Sequence, residues 1–205
     1  MSLIVGSLLC LRKTTKIYGL GSVVVGDKEY PYVQLGGIYV TCINLDFLPS
    51  TIQLAPSGVP TTPSAWYYNN DETTYGWTGK KYGLLYNKYA IPEINELLTD
   101  GWRVLTYADI YNNWWGMYSN KIGGNGNKYK MQDIPDWNGT NEMGLSIVPS
   151  GHRSTDGKFY GIEEEGRIWA YETPDSHFTM KRNASNGFYT SNKTRGLSLR
   201  LAKTP

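Results

Sequence analysis

Short apolar runs separated by glycine turns dominate the first part of the chain. Residues 23–25, 30–35 and 38–43 are mostly apolar or aromatic, and glycine occurs in both of the two-residue segments at 26–27 and 36–37. Strands of this length joined by such turns form antiparallel hairpins. The pattern therefore predicts a β-meander.

Apolar residues at helical spacing first occur after the meander. A helix is predicted over residues 92–99, with Gly101 just past its end. Its apolar side would consist of Ile94, Leu97 and Leu98, which we expect to pack on the core.

A second helix is predicted to open at Thr106. The Thr106 hydroxyl can cap the first turn while the Asp109 carboxylate, three residues on, completes a capping box. Ile110, Trp114 and Met117 follow at helical spacing. These three side chains are therefore expected to face the core.

The other segments are predicted as loops and short strands. Residues 49–64 contain four prolines and are expected to form a long surface loop without ladder pairing. Strands are predicted at 144–148, 167–171 and 196–202. In the last strand, alternate leucines are expected to share one face: Leu197, Leu199 and Leu201.

Composition favours a loop-rich α+β fold. The 205 residues include 23 glycines, 17 tyrosines and 7 tryptophans, a balance that suits short strands and tight turns better than a helical bundle. The length suits one domain, placed at residues 19–205. Because the net charge is only +2, composition predicts no nucleic-acid partner.

Residues 1–18 are interpreted as an N-terminal docking arm. The apolar stretch at residues 3–11 is too short to span a membrane and has no basic segment before it, which argues against a signal peptide. An exposed apolar arm would aggregate, so it is expected to pair with another chain or with a second copy, giving an oligomer. Cys10 and Cys42 lie in unlike contexts, and two buried thiols are favoured over a disulfide.

A series of motifs in a fixed order resembles a known family. The motifs are YGLLYNKYA at 82–90, GWRVLT at 101–106, WNGTN at 137–141, GLS at 144–146, GHR at 151–153, DGKFY at 156–160, IW at 168–169 and GLSLR at 196–200. In order and spacing they resemble the Fibrobacter succinogenes major paralogous domain. The resemblance covers roughly residues 23–203.

This resemblance implies a C-type-lectin-like fold with short antiparallel strands, two helices and long irregular loops. That family is related in fold to the formylglycine-generating enzymes and is common in surface and secreted proteins, while related folds serve as phage receptor-binding proteins. The resemblance also implies that the large aromatic residues and the arginines of the motifs have a structural role. The arginines would donate hydrogen bonds to loop carbonyls or to a carboxylate such as that of Glu172. The scaffold residues so identified are Trp102, Arg103, Trp137, Arg153, Phe159, Trp169 and Arg200.

No catalytic constellation is evident in the sequence. The paired cysteines of the formylglycine-generating relatives have no counterpart, and no Gly-x-Ser-x-Gly motif occurs. His152 and His177 lie outside ligand-spaced motifs and are interpreted as structural or surface residues. Residues 163–165 with Asp156 form either half of a calcium site or a solvated acidic turn, and the turn is favoured. We therefore predict a non-enzymatic protein without a metal, with calcium as the alternative.

Calcium-independent glycan binding is the ligand chemistry that the sequence permits. Aromatic rings can stack on sugar C–H faces and amides can meet hydroxyls. The alternative is that these aromatics are core residues or loop anchors and that the asparagines hold turns. The candidate glycan-binding residues are Trp66, Tyr67, Tyr111, Asn112, Asn113 and Trp115.

The leading functional hypothesis is a bacteriophage virion protein, a decoration or fibre protein whose lectin-like loops face outward and bind host surface glycan. The missing signal and the additional arm favour the virion over the cell surface. The first alternative is a bacterial cell-surface or extracellular adhesin module. The second is a polysaccharide hydrolase that would use Asp133, Asp136 and Glu163, two of which would need to lie about 5–10 Å apart.

Overall fold

The computed structural model describes most of the chain after the predicted arm. The described residues are 20–115, 130–132, 137, 139–173, 175–182 and 186–205, with the backbone alone for 114 and 115. The predictions made for the arm at 1–18 and for Cys10, Met117, Asp133 and Asp136 therefore lie outside the described residues, as do those for the side chains of Trp114 and Trp115.

The N-terminal meander forms most of a five-stranded antiparallel sheet. Its three hairpin-linked strands are β1 (Gly21–Val25), β2 (Lys28–Leu35) and β3 (Ile38–Thr41). Two strands from later in the chain complete the sheet. β14 (Leu201–Lys203) pairs with β3, and β7 (Arg103–Val104) pairs with β14 at the edge. The predicted β-meander is confirmed.

Glycine is needed in the turn that joins β2 to β3. Leu35 and Ile38 face each other across a two-residue turn in which Gly36 has a positive φ of 57°, as the first position of a type II′ turn requires. A Cβ at Gly36 would also lie 2.5 Å from the Asn113 side-chain oxygen, which accepts a hydrogen bond from Gly37 N. The turn is thus fixed by both backbone conformation and close packing.

A second, strongly curled sheet contains nine strands among the described residues. Its main path runs β12–β11–β10–β13–β6–β5–β4, and β8 pairs with β10 and β9. Three pairings are parallel, β4 with β5 and β10 with both β8 and β13, and the others are antiparallel, as predicted for the short strands. The strands are β4 (Gln53–Leu54), β5 (Ser64–Trp66), β6 (Leu85–Tyr86), β8 (Ser150–Arg153), β9 (Phe159–Ile162), β10 (Glu165–Trp169), β11 (Ser176–Lys181), β12 (Gly187–Thr190) and β13 (Leu197–Ser198).

The helices are short and more numerous than the two predicted. The first predicted helix is confirmed as α2 (Ala90–Leu97), which begins two residues earlier than expected. Its buried side includes Ile94, but Leu97 is 52% exposed, because the helix ends there and the chain turns away. Also present are a 3-10 turn (Tyr68–Asn70) and α1 (Glu72–Tyr75).

The predicted capping box at Thr106 is confirmed. Thr106 Oγ1 accepts from Asp109 N at 3.1 Å, and Asp109 Oδ2 accepts from Thr106 N at 2.8 Å. These bonds start α3 (Tyr107–Asp109), which continues as a π-helical segment (Ile110–Trp115) rather than as α-helix. Ile110 is buried, as its position in the pattern predicted.

Three predicted segments differ from the structure. Residues 144–148 form no strand, only an isolated bridge from Ile147 to Gln132, because the chain turns at Ser146 with a positive φ. The proline-rich 49–64 segment contributes β4 as an edge strand. The predicted strand 196–202 is divided between the two sheets, since β13 belongs to one and β14 to the other.

Two hydrophobic clusters fill the space around these sheets. One gathers Phe178 and Met180 of β11 with Trp137, and the other gathers Trp169 with the inner side of α2. Leu197, Leu199 and Leu201 all belong to the second cluster, as their alternation predicted. The described chain is therefore mostly β with few short helices, which is compatible with the predicted α+β class. None of its helices has the length and apolar character needed to cross a membrane.

Candidate functional site

The strands β10, β11 and β12 carry a polar face opposite their core face. Along β11 the residues alternate, with Phe178 and Met180 packed in the core and His177, Thr179 and Lys181 on the other face. This period-two pattern directs every second side chain of β11 toward the same side of the sheet. The site is therefore built on strands held by the core beneath them.

Strand register brings complementary groups into rows across this face. Thr179 lies between Arg167 of β10 and Gly187 of β12, and His177 lies beside Tyr189 of β12. A Cβ at Gly187 would meet only the Tyr189 ring, at 3.9 Å. The missing side chain at Gly187 leaves space on that side of the buried Thr179.

A cavity of about 160 Å³ opens on this face, and we name it the sheet pocket. It adjoins a shallower depression of about 360 Å³ that shares Thr190 and Arg195 with it and adds Asp175, Ser191 and Asn192. Seven residues line the sheet pocket: Arg167, His177, Thr179, Lys181, Tyr189, Thr190 and Arg195.

Several buried polar atoms around the sheet pocket have no hydrogen-bond partner in the part of the chain that the structure describes. They are His177 Nδ1, Thr179 Oγ1 and Arg195 Nε, with Ser191 Oγ in the adjoining depression. His177 and Thr179 are each only 1% exposed. Because buried polar groups in folded proteins are almost always hydrogen-bonded, these atoms point to a polar ligand or ordered water.

The pocket is cationic, and its histidine is neutral. Burial, together with the charges of Arg167 and Arg195, lowers the pKa of His177 to about 3. The charge of Arg167 is matched by Glu165, whose Oε1 accepts from Arg167 Nε at 2.9 Å and lies 2.8 Å from His152 Nδ1. Although burial opposes it, this contact with His152 and the Arg167 charge lower the pKa of Glu165. Glu165 is therefore ionised at neutral pH.

An aromatic ring forms one wall of the sheet pocket. Tyr189 is 44% exposed and lies 6.0 Å from the His177 ring, tilted by 34°. Lys181 Nζ lies 5.7 Å from the centre of the same ring, so the amino group and the ring occupy one edge of the site. A planar or ring-shaped ligand in the pocket would contact both.

Two of the predicted glycan-binding residues are buried. The Trp66 ring is 1% exposed, lies 4.3 Å from the Arg153 guanidinium and donates from Nε1 to Pro56 O at 3.0 Å. Tyr67 is 6% exposed and donates to Asp46 at 2.8 Å. Their ring faces are covered by protein, so the expectation that they stack on sugar is corrected to loop anchoring.

The other candidates lie apart from Trp66, near α3. Tyr111 is 49% exposed and stacks on Tyr107 at 5.7 Å with an angle of 12°. Asn113 donates to Asp109 O and accepts from Gly37 N, so its amide holds a turn, while Asn112 is exposed. The Trp115 side chain lies outside the described residues. Tyr107 and Tyr111 therefore form a separate exposed patch, the tyrosine patch.

The residues assigned to the scaffold lie mostly in the interior. Trp102, Trp137 and Trp169 are buried, and Phe159 is half-buried against Tyr68 at 5.4 Å. Arg103 donates two hydrogen bonds to the Asp109 carboxylate. Arg153 donates a hydrogen bond of 2.7 Å to Gly58 O.

Arg200 is fully buried and fastens several loops. Its guanidinium donates to Asn44 Oδ1 at 2.9 Å, to Thr41 O and Ser146 O at 3.0 Å each, and to Leu145 O. One side chain thus joins the end of β3 to the segment before β8. The placement is that of a clamp on loop carbonyls.

The described acidic residues considered for calcium or catalysis each have a separate partner, while Asp133 and Asp136 lie outside the described residues. Glu163 pairs with Lys80 at 2.9 Å, Glu164 lies 4.0 Å from Arg182, and Glu165 faces His152 inside the sheet. The Asp156 carboxylate accepts from Tyr160 at 2.6 Å. Within the described ranges no group of three or more His, Cys, Asp or Glu side chains is placed to hold a metal ion. Cys42 is a buried thiol.

Sequence reasoning missed the sheet pocket. The alternation in SHFTMK at 176–181 was the available signal, since it places His177, Thr179 and Lys181 on one face. Arg167 and Arg195 are far away in sequence, and only the strand register and the loop after β12 bring them to the same place.

Comparisons with protein-family models, curated proteins and solved structures find no match to this chain.

Proposed function

We propose that this protein is a non-catalytic binding module that recognises a saccharide in the sheet pocket. The observation that carries the proposal is the set of buried, unpartnered polar atoms around a small cavity with an exposed tyrosine wall. His177 Nδ1 and Thr179 Oγ1 are preformed partners for ligand hydroxyls because the strands beneath them fix their positions.

The size and chemistry of the pocket suit a sugar ring. A cavity of about 150 Å³ holds a benzene ring. The sheet pocket, at about 160 Å³ and open on one side, would take one sugar ring with part of its substituents directed outward. Tyr189 offers a ring face for sugar C–H groups, while Thr190, Ser191 and Asn192 offer hydroxyls and an amide along the adjoining depression. This combination favours a saccharide over a wholly apolar ligand.

The proposed setting is the surface of a bacteriophage virion, where a C-type-lectin-like domain displays the pocket outward. The support for both the lectin-like fold and this setting is the resemblance of the motif series. A bacterial cell-surface adhesin is the alternative setting, and the pocket would serve either one.

Glycan-array binding by the full chain tests the saccharide proposal. We expect selective binding to a subset of glycans, and we expect Tyr189→Ala to weaken it about tenfold because a stacking face is lost. Tyr160→Ala is the matched control, since Tyr160 is 43% exposed and lies outside the pocket. Binding that is unchanged in Tyr189→Ala would refute the sheet pocket as the site.

The tyrosine patch is a second candidate surface for the same function. Tyr107 and Tyr111 stack with a nearly parallel orientation and Tyr111 is half-exposed, which gives a flat aromatic platform. Phe188 contacts Tyr107 at 4.4 Å, while its neighbour Tyr189 faces the sheet pocket, so the two surfaces lie on opposite sides of β12. Loss of array binding in Tyr111→Ala, with Tyr189→Ala unaffected, would assign the function to this patch.

The docking arm is tested by comparing the full chain with residues 19–205. Light scattering measures the oligomeric state, and incorporation into particles measures attachment where a host phage is at hand. A shortened chain that is monomeric and no longer joins the particle supports the virion setting. If neither assembly nor attachment changes, the cell-surface adhesin becomes the favoured setting.

A further inference from the structure

We infer that the depression adjoining the sheet pocket binds two neighbouring hydroxyl groups, a vicinal diol, of a second sugar unit. The inference rests on the proposed saccharide function and adds the class of glycan, a neutral chain of more than one sugar. One ring would lie against Tyr189 in the sheet pocket, while Asp175 and Asn192 bind the diol of the next sugar.

The adjoining depression continues directly from the sheet pocket. Thr190 and Arg195 line both spaces, and the depression is more than twice as large as the sheet pocket. A glycan that places one ring in the sheet pocket therefore has room for its next unit in the depression.

The charged residues of the depression have opposite signs. Asp175 and Arg195 line it together, and its other lining residues carry hydroxyls or an amide. A neutral ligand with both donors and acceptors suits such a surface better than an ion of either sign. A sugar hydroxyl both donates and accepts, so a pair of neighbouring hydroxyls meets both requirements.

The Asp175 carboxylate is the acceptor of the depression. Its Oδ1 has no hydrogen-bond partner among the described residues, and Lys88 Nζ lies 3.8 Å away, beyond hydrogen-bond distance. The side chain as a whole is 37% exposed. Because hydrogen bonds to a carboxylate are stronger than those to neutral acceptors, Asp175 is expected to contribute most to binding the diol.

The donors of the depression lie on a turn that is held by its own hydrogen bonds. Asn192 Oδ1 accepts from both Thr194 N and Thr194 Oγ1 at 3.0 Å, which orients the amide and leaves its nitrogen to donate. Arg195 N donates to Asn192 O at 3.1 Å, and Arg195 Nε has no partner among the described residues. The turn thus brings an amide donor and a guanidinium donor to one depression.

Backbone contacts hold the acceptor beside this turn. Ser191 N donates to Asp175 O at 2.8 Å, and the adjacent residues Ser176 and Thr190 are partners across β11 and β12. Asp175 has a positive φ of 58°, which aspartate adopts more readily than most residues do. The carboxylate therefore stands on a fixed backbone, as a preorganised binding site requires.

Titration of the full chain, followed by two-dimensional amide NMR, tests the inference. The probes are the neutral disaccharides lactose, cellobiose, maltose and mannobiose, with the methyl glycosides of galactose, glucose and mannose. We expect a disaccharide to bind about tenfold more tightly than the methyl glycosides of its own sugars, because it gains hydrogen bonds to a charged group. It should shift the amides of Ser191 and Asn192 in addition to those of His177 and Tyr189.

Deoxy analogues of that disaccharide, each lacking one hydroxyl, identify the groups that are bound. The affinity gain over the methyl glycosides should disappear when the missing hydroxyl belongs to the vicinal pair, and should persist when another hydroxyl is missing.

Two substitutions at Asp175 test the acceptor. Asp175→Asn should weaken disaccharide binding about tenfold and leave binding of the methyl glycosides unchanged. Asp175→Gly removes the side chain at a positive φ that glycine adopts freely, so this variant should remain folded and lose the same gain. Asp100→Asn is the matched control, since Asp100 also has a positive φ, of 56°, and is exposed elsewhere. Thermal unfolding of each variant establishes that it is folded.

The outcomes distinguish this inference from the function beneath it. Disaccharides that bind no more tightly than the methyl glycosides, with both lost in Tyr189→Ala, would overturn the diol site and leave the saccharide function in place. A gain that persists in both Asp175 variants and in every deoxy analogue would also overturn the diol site. Shifts confined to Ser191 and Asn192, unaffected by Tyr189→Ala, would support the diol site and overturn the sheet pocket. Shifts from none of the probes would overturn both proposals.

Discussion

At the scale of single residues, buried charged groups hold irregular segments of the described chain in place. Arg200 replaces the ladder hydrogen bonds that irregular loops cannot make, because its donors reach carbonyls on two separate segments. Asp109 combines a helix cap with an ion pair to Arg103. Arg200 and Arg103, the partner of Asp109, stand in motifs that also carry the family resemblance, which is consistent with their role in holding loops.

Replacing Arg200 with alanine should lower the free energy of unfolding by about 3–5 kcal/mol, because the bonded carbonyls would remain buried without donors. Arg200→Lys keeps the charge but not the planar fork, and we expect a loss between that of alanine and zero. Chemical denaturation of both variants measures the two effects. Arg182→Lys at the surface should change the free energy by less than about 1 kcal/mol, and a loss as small in Arg200→Ala would disprove the clamp.

Asp109→Asn tests the capping ion pair and its dependence on pH. Burial raises the pKa of Asp109, but hydrogen bonds from Arg103 and Thr106 outweigh it and lower the pKa below its ordinary value of 3.8. The carboxylate therefore stabilises the fold above pH 3.8, and this contribution is lost as the pH falls toward the lowered pKa.

The difference in the free energy of unfolding between the wild type and Asp109→Asn should thus be largest at neutral pH, at about 1–3 kcal/mol, and should become smaller in acid. Thermal unfolding of both proteins at several pH values measures it. Asp100→Asn, on an exposed turn, is the control and should show little effect at any pH. A difference for Asp109→Asn that is constant with pH would rule out an ionic contribution.

At the scale of elements, the β10–β12 sheet combines a packed face with a binding face. The glycine at the start of β12 has no structural need that the described contacts reveal, since a side chain there would meet only the Tyr189 ring at 3.9 Å. Its consequence is an opening above Thr179. This distinguishes Gly187 from Gly36, where both a positive φ and close packing require glycine.

Gly187→Val should therefore leave the fold intact and close the pocket. Valine suits a strand and removes backbone freedom from the unfolded chain, so the melting temperature should stay equal or rise. Its branched side chain would occupy space beside Thr179 and reduce glycan binding. Thermal unfolding and array binding on the same sample measure both effects, and a variant that is stable with full binding would argue against the sheet pocket.

At the scale of the whole molecule, the sequence predicted local elements better than it predicted their assembly. The meander, α2 and the capping box could be recognised because their signals lie within a few residues. The division of residues 196–202 between two sheets could not, since it depends on partners at Leu85 and Val104. The sheet pocket needed Arg167, His177 and Arg195 to meet, and only the register of distant strands places them together.

The same long-range assembly buries two histidines in a cationic region, which makes the whole fold sensitive to acid. Burial is the largest cause lowering the pKa of both His152 and His177, and Arg167 and Arg195 lower both further, while Glu165 opposes the effect. A histidine with a lowered pKa stabilises the fold above the ordinary value of 6.5, and this contribution is lost progressively as the pH falls toward the folded pKa, about 3 for His177.

The free energy of unfolding should therefore decrease by roughly 3 kcal/mol between pH 7 and pH 4 through His177 alone. His177→Gln keeps a polar side chain that does not titrate, so its unfolding free energy should vary less with pH over this interval. Denaturation series at several pH values compare the two proteins. Parallel curves would mean that His177 titrates normally, and hence that the pocket is wetter and less cationic than its contacts indicate.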